Sequence, residues 1–216
     1  MARGTIAVKI PGIPVEMVLG EHVHDREFST SRLAATQSTQ ISILAAAQGE
    51  TIPGGTTTLT IRESTIPAGG QRGFPVGYEM FVYSIQLVFG SATGVRYNNA
   101  VPAASSPSDG EMIQVYARTI FNFLVQNKSR SHGPVYKYPS GGGLYLTGND
   151  TSNATNRLWA NNGRPSPRDQ AAFLLPHHLE TDVPFRGTLD FDAALVLSQT
   201  LDVEGHLEGI CKRPVQ

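Results

Sequence analysis

The sequence predicts an all-β chain, an antiparallel sandwich or jelly roll of about eight strands with at most one short helix. Three observations carry this expectation. Several segments alternate apolar and polar residues with a period of two, the signature of half-buried strands. Clusters of Gly, Pro, Ser, Thr, Asn and Asp separate them. Nothing resembles the βαβ alternation of a parallel sheet.

Residues 1–35 are read as an extended N-terminal arm or edge segment, ahead of a sandwich domain at 36–216. Thr5 to Ile10 could pair briefly before Pro11 and Pro14, and HVHDREFSTSR (22–32) is polar with no evident period. ISILAAA after Gln40 fits a strand or a helix turn, stopped by Pro53-Gly54-Gly55. TTTLTIRE (56–63) reads as extended, with Leu59 and Ile61 on one face.

The longest strand is expected over Tyr78–Phe89, YEMFVYSIQLVF. At period two, Phe81, Tyr83, Ile85, Leu87 and Phe89 form an apolar face, and Met80, Val82, Ser84, Gln86 and Val88 a mixed one. The mixed face is expected to be covered by the arm or by a neighbouring subunit, so that Ser84→Lys would impair assembly more than folding. Residues 91–110 read as a polar loop. Residues 110–118 fit a helix, with Ser108 or Asp109 as N-cap, as well as a strand, and a strand is expected from Thr119 onward.

NKSRSHGP and VYKY lead to Gly141–Gly143 and a turn-rich stretch, 149–170, anchored only by Leu158 and Trp159. In GTLDFDAALVLSQ, Leu189, Phe191, Ala193, Leu195 and Leu197 line one strand face. In VEGHLEGICKR, Val203, Leu207 and Cys211 alternate with Glu204, His206, Glu208 and Lys212.

Composition narrows the function. Charged residues are 16%, against roughly 25% in an ordinary soluble domain, which suits a surface covered by neighbouring copies. A formal net charge of −1 recruits neither nucleic acid nor anionic membrane. The single cysteine, Cys211, excludes an intramolecular disulfide framework. No signal peptide is recognisable, and no run approaches the ~20 apolar residues of a membrane span. Synthesis in a cytoplasm is the expectation, and the triplets at Asn127, Asn149 and Asn153 are read as chance.

Candidate chemistry is sparse. His22 and His24 with Glu27 could share a metal in the manner of cupins, whose first motif is HxH followed by Glu. No His follows Pro75-Val76-Gly77, however, where the second cupin motif would supply one, so no metal site is assigned. His177 and His178 lie in an irregular stretch, where adjacent side chains diverge. Glu204, His206 and Glu208 share a polar strand face and read as a hydrated or interface surface. Asp190 and Asp192 share a face as glycosidase carboxylates would, but no aromatic groove accompanies them. Cys211 reads as a buried thiol. Gly141–Gly143 lack the following Lys-Ser/Thr of a phosphate loop. No catalytic residue, cofactor or metal is expected.

Three stretches taken in order, Ile66–Phe89, Asn122–Leu144 and Asp190–Gln216, resemble major capsid proteins of tailless icosahedral bacteriophages, those with vertical jelly rolls and often an internal membrane. The shared features are the Ile66-Pro-Ala-Gly entry to a core strand, the Pro139-x-Gly-Gly-Gly loop, and a final strand carrying Gly and ending near Arg213-Pro-Val. The resemblance implies an upright β-sandwich joined side by side into capsomers. Many members are double rolls, and 216 residues are too few for two, so a single jelly roll is expected. It also implies a virion location, with copies of itself, other virion proteins and an underlying membrane as partners. The arm 1–35 and the loops 91–110 and 147–170 are expected at subunit contacts or on the outer surface. A vertex or spike protein, a glycan-binding module for host attachment and a cupin-like enzyme are the alternatives.

Overall fold

From β3 (His22–Leu33) to β10 (Leu201–Lys212) the chain pairs with itself end to end, like one long hairpin rolled up. The computed structural model describes residues 7–8, 17–18, 22–35, 39–67, 73–91, 109–139, 172–197 and 200–212. Two residue pairs, β1 (Ala7–Val8) and β2 (Met17–Val18), form a minimal antiparallel ladder. The sandwich comprises β3 (His22–Leu33), β4 (Gln40–Ile43), β5 (Glu79–Ser91), β6 (Thr119–Val125), β7 (Lys128–Pro134), β8 (Ala172–Leu179), β9 (Phe185–Phe191) and β10 (Leu201–Lys212). One sheet has the order β3-β10-β5-β8 and the other β4-β9-β6-β7. Thus β3 pairs with β10, β4 with β9, β5 with β8 and β6 with β7, all antiparallel. This nesting is a single jelly roll.

The fold of the hairpin is the β6–β7 turn. Val125 pairs with Lys128 across Gln126 and Asn127, whose φ angles are 51° and 61°. A two-residue loop with both φ positive matches the right-handed twist of the strands it joins.

Between the sheets lies one core, drawn from both. Phe89, Ile85, Leu87, Leu201, Val203 and Leu207 face Ile43, Phe121, Phe123 and Leu189. Phe89, Phe121 and Phe123 are fully buried, each contributing about 2–3 kcal/mol by its removal from water. The sheets approach closely at Gly205, where a Cβ would lie 2.7 Å from Leu44 Cγ.

Residues 110–118 are helical. The helix α1 (Asp109–Arg118) inserts Val115 into the core and lays Tyr116 against Phe89 at 5.1 Å between ring centroids. Arg118 closes its last turn, where a cation complements the helix dipole, and bonds Asp192 at 2.8 Å. The strand from Thr119 follows directly.

The long strand differs from its sequence pattern at one point. The β10 ladder passes from Glu208↔Ser84 to Gly209↔Val82, leaving Tyr83 as an extra residue. A bulge of one residue reverses the side-chain parity beyond it. Met80 and Val82 therefore join Ile85, Leu87 and Phe89 in the core, while Phe81 lies outside that core and stacks on His178. Ser84, Gln86 and Val88 lie on the opposite face of the sheet. They are already buried in the single chain, at 0%, 1% and 4% exposure, so this face is covered without a neighbouring subunit, and Ser84→Lys bears on folding as well as on assembly.

Other expectations shift as well. Within the segment read as an arm or edge segment, residues 22–33 form β3, the edge strand of the first sheet, paired with β10 along its whole length, so the sandwich includes residues ahead of 36. TTTLTIRE is not a strand. Thr60 donates its amide and hydroxyl to the Glu63 carboxylate, and the Glu63 and Ser64 amides bond the Thr60 carbonyl, a local pattern that competes with extended pairing. Leu59 packs with Ala46 and Ile52 in a satellite cluster, and Ile61 is exposed. The strand expected through Leu197 ends at Phe191, though Leu195 and Leu197 stay buried. The irregular stretch around His177 is strand β8.

Candidate functional site

Alternation along β10 directs Asp202, Glu204, His206 and Glu208 to the outer face of the first sheet, opposite the core residues Leu201, Val203 and Leu207. All four polar residues are nonetheless buried, none more than 8% exposed. Buried charge requires partners, and the neighbouring strands supply them in register. Arg32, across from Asp202, bonds it twice, Nε to Oδ1 at 2.8 Å and Nη2 to Oδ2 at 3.1 Å. Arg26, across from Glu208, reaches its Oε2 at 3.1 Å, and Gln86 donates to the same oxygen at 2.6 Å. His24 lies 3.6 Å from the other Glu208 oxygen and is hydrogen-bonded to Tyr83.

His206 sits in the middle of this row. Its Nε2 is 3.2 Å from Glu204 Oε2, its ring stacks on Phe28 at 5.2 Å, and its Nδ1 is buried with no hydrogen-bond partner. The Asp202 hydrogen bond raises the Arg32 pKa, against the opposing effect of burial. Burial, then the Glu208 charge, raises that of Tyr83. The row is a polar ladder, strongest at its buried Asp202 end and open to water at His24 and Arg26.

The HxH residues and Glu27 do not converge. His22 and His24 lie on the outer face of β3. Glu27, at odd spacing, points into the sandwich, where it is 2% exposed and accepts a hydrogen bond from Tyr78. Burial raises the Glu27 pKa, opposed by hydrogen bonds from Tyr78 and Thr65. Cys211 lies beside this pair, and burial pushes its thiol up to about 12, so it carries almost no thiolate at neutral pH. Among the described residues no group of three or more His, Cys, Asp or Glu is arranged to hold a metal ion.

His177 and His178 diverge as expected of neighbours on extended chain. His177 packs between Phe173 and Phe123, its pKa lowered by burial and by Arg130. His178 lies flat on Phe81 and bonds Glu79 at 3.0 Å. Asp190 and Asp192 take separate partners, Gln40 and Arg118. Asn127 holds the β6–β7 turn. Gly141–Gly143, Asn149, Asn153, Leu158 and Trp159 lie outside the described residues.

The sheet edges are the other feature of the surface. On β3, the amides of Thr30 and Arg32 bond the carbonyls of Glu63 and Pro53, and the Thr65 amide bonds the Phe28 carbonyl, so this edge is closed along Phe28–Arg32. The edge strand β7 reads Lys-Ser-Arg-Ser-His, and β4 has only four residues. Charge and shortness both protect edges against pairing. β8 is protected in another way, by Pro176 and by an irregularity in its ladder. Its ladder with β5 jumps from Val82↔His177 to Ser84↔Ala172, so Phe173–Pro176 leave the ladder. Phe173 and His177 turn inward, and Leu174 and Leu175 are driven outward, 97% and 67% exposed. Sequence reasoning missed this pair, although two leucines before a proline in a polar stretch mark it.

No family model, curated protein or solved structure matches the chain.

Proposed function

We propose that this chain is a structural subunit of a virion, a capsid protein that joins side by side with copies of itself into the capsomers of an icosahedral shell. The observation that supports it best is the β8 edge. Two sheet edges are short or charged and a third is closed along Phe28–Arg32, whereas the β8 edge, though interrupted by Pro176 and a bulge, displays two leucines to water. A display of that kind serves association between chains. The low charge of the sequence and the resemblance of its three stretches to phage capsid proteins point the same way. A cupin-like enzyme would need His22, His24 and Glu27 on one face, which they do not share.

Of the segments expected at subunit contacts or on the outer surface, the loop 147–170, most of the loop 91–110 and much of residues 1–21 lie outside the described residues. The test is the size of the native material by light scattering and negative-stain microscopy. Shell-sized particles are the expected result. A discrete monomer or small oligomer at all concentrations overturns the reading in favour of a binding module.

A further inference from the structure

The extra residue in β5 lays the Tyr83 ring against His24 of β3, with 5.7 Å between the ring centroids and 11° between their planes. Bulges commonly re-aim a side chain in this way. Three strands then bring donor atoms to one point on the outer face of the first sheet. His24 Nε2 is hydrogen-bonded to the Tyr83 hydroxyl of β5 and lies 3.6 Å from Glu208 Oε1 of β10. That second distance is too long for a hydrogen bond. It is close to the separation of about 3.4 Å between two ligands of one tetrahedral zinc ion, each about 2.1 Å from the metal.

The Glu208 carboxylate is held for that role through its other oxygen. Arg26 and Gln86 both donate to Oε2, at 3.1 Å and 2.6 Å, which leaves Oε1 to His24. Outer partners of this kind orient a ligating carboxylate. The His24 side chain is 60% exposed, so an ion can reach the point from water.

We propose that His24 Nε2, Glu208 Oε1 and the Tyr83 hydroxyl form a site for a divalent transition-metal ion such as zinc, with water completing the coordination. Imidazole combined with oxygen donors suits such ions. The third donor is a phenol rather than a second His or carboxylate, and Glu27 takes no part because it faces the sandwich interior. A neutral phenol is a weak ligand and the Arg26 charge is close by, so the affinity is micromolar rather than nanomolar. A bound ion joins β3, β10 and β5 at the open end of the polar ladder and stabilises the folded chain, whether or not copies assemble.

The full chain, stripped with a chelator and titrated with zinc chloride in a calorimeter, tests the site. One zinc ion should bind per chain, and the thermal unfolding temperature should rise with zinc. His24→Ala changes a mostly exposed side chain, so the metal-free variant should unfold as the wild type does while its zinc affinity falls at least tenfold. Tyr83→Phe should bind more weakly than the wild type and more tightly than His24→Ala. His178→Ala, which removes a histidine set between Glu79 and Glu180, should bind as the wild type does. A wild-type chain that takes up no zinc overturns the proposal. So does binding that His24→Ala leaves unchanged, which marks adventitious contact with other surface histidines.

Discussion

Tyr78 donates its phenolic hydrogen to Glu27 inside the sandwich, a carboxylate held among core side chains. Burial is the main influence on Glu27 and raises its pKa above the ordinary 4.5. The folded state then holds a proton that the unfolded chain releases. Stability therefore falls as pH rises from about 4.5 through the raised folded value, and the cost is fully present above that. Glu27→Gln keeps an acceptor for Tyr78 and removes the titration. The variant should unfold at a higher temperature than the wild type at neutral pH, with the advantage vanishing at acid pH. Calorimetry across that range checks it, and a parallel pH dependence in both proteins would refute the assignment.

Arg32 and Asp202 are the most enclosed charge pair of the polar ladder. Arg32→Ala strands a carboxylate whose side chain is 6% exposed, which should cost about 3 kcal/mol. The double variant Arg32→Ala, Asp202→Ala should lose less than the sum of the two single variants, because it leaves no orphaned charge. Urea unfolding of all three measures the coupling directly.

Ser84 is fully enclosed, and its hydroxyl has no hydrogen-bond partner. Ser84→Ala removes an unsatisfied polar atom, so it should be neutral or slightly stabilising. Ser84→Lys places a charge in the same enclosure and should abolish folding, visible as loss of the folded far-ultraviolet signal. A folded Ser84→Lys chain that merely fails to assemble would place this face at a subunit contact after all.

Gly205 lies where a Cβ would approach Leu44 Cγ to 2.7 Å, and the Leu44 backbone is left-handed at φ 55°. Neither side can yield easily. Gly205→Ala should cost about 1–3 kcal/mol by overpacking. Truncating Leu44 to Ala in the same chain should recover part of that loss. Chemical denaturation of the single and double variants reads the recovery.

The sequence alone determined the all-β class, the boundary at Thr119 and the separation of a dry from a polar face on β10. Each depends only on local alternation, and the strands concerned bury one face in the ordinary way. It also separated His177 from His178, since neighbours on extended chain must point apart.

What only the tertiary structure decided turns on long-range partners. β3 looked like a polar arm or edge segment because Arg26 and Arg32 meet Glu208 and Asp202, and Phe28 meets His206, on a strand 170–182 residues away, a complementarity that no local window displays. The single extra residue at Tyr83 reversed the faces of β5, and a bulge is visible only against the partner strands. The parity that parts His24 from Glu27 was in the sequence from the start. Its meaning waited on the sheet, which places one side chain in water and the other in the core.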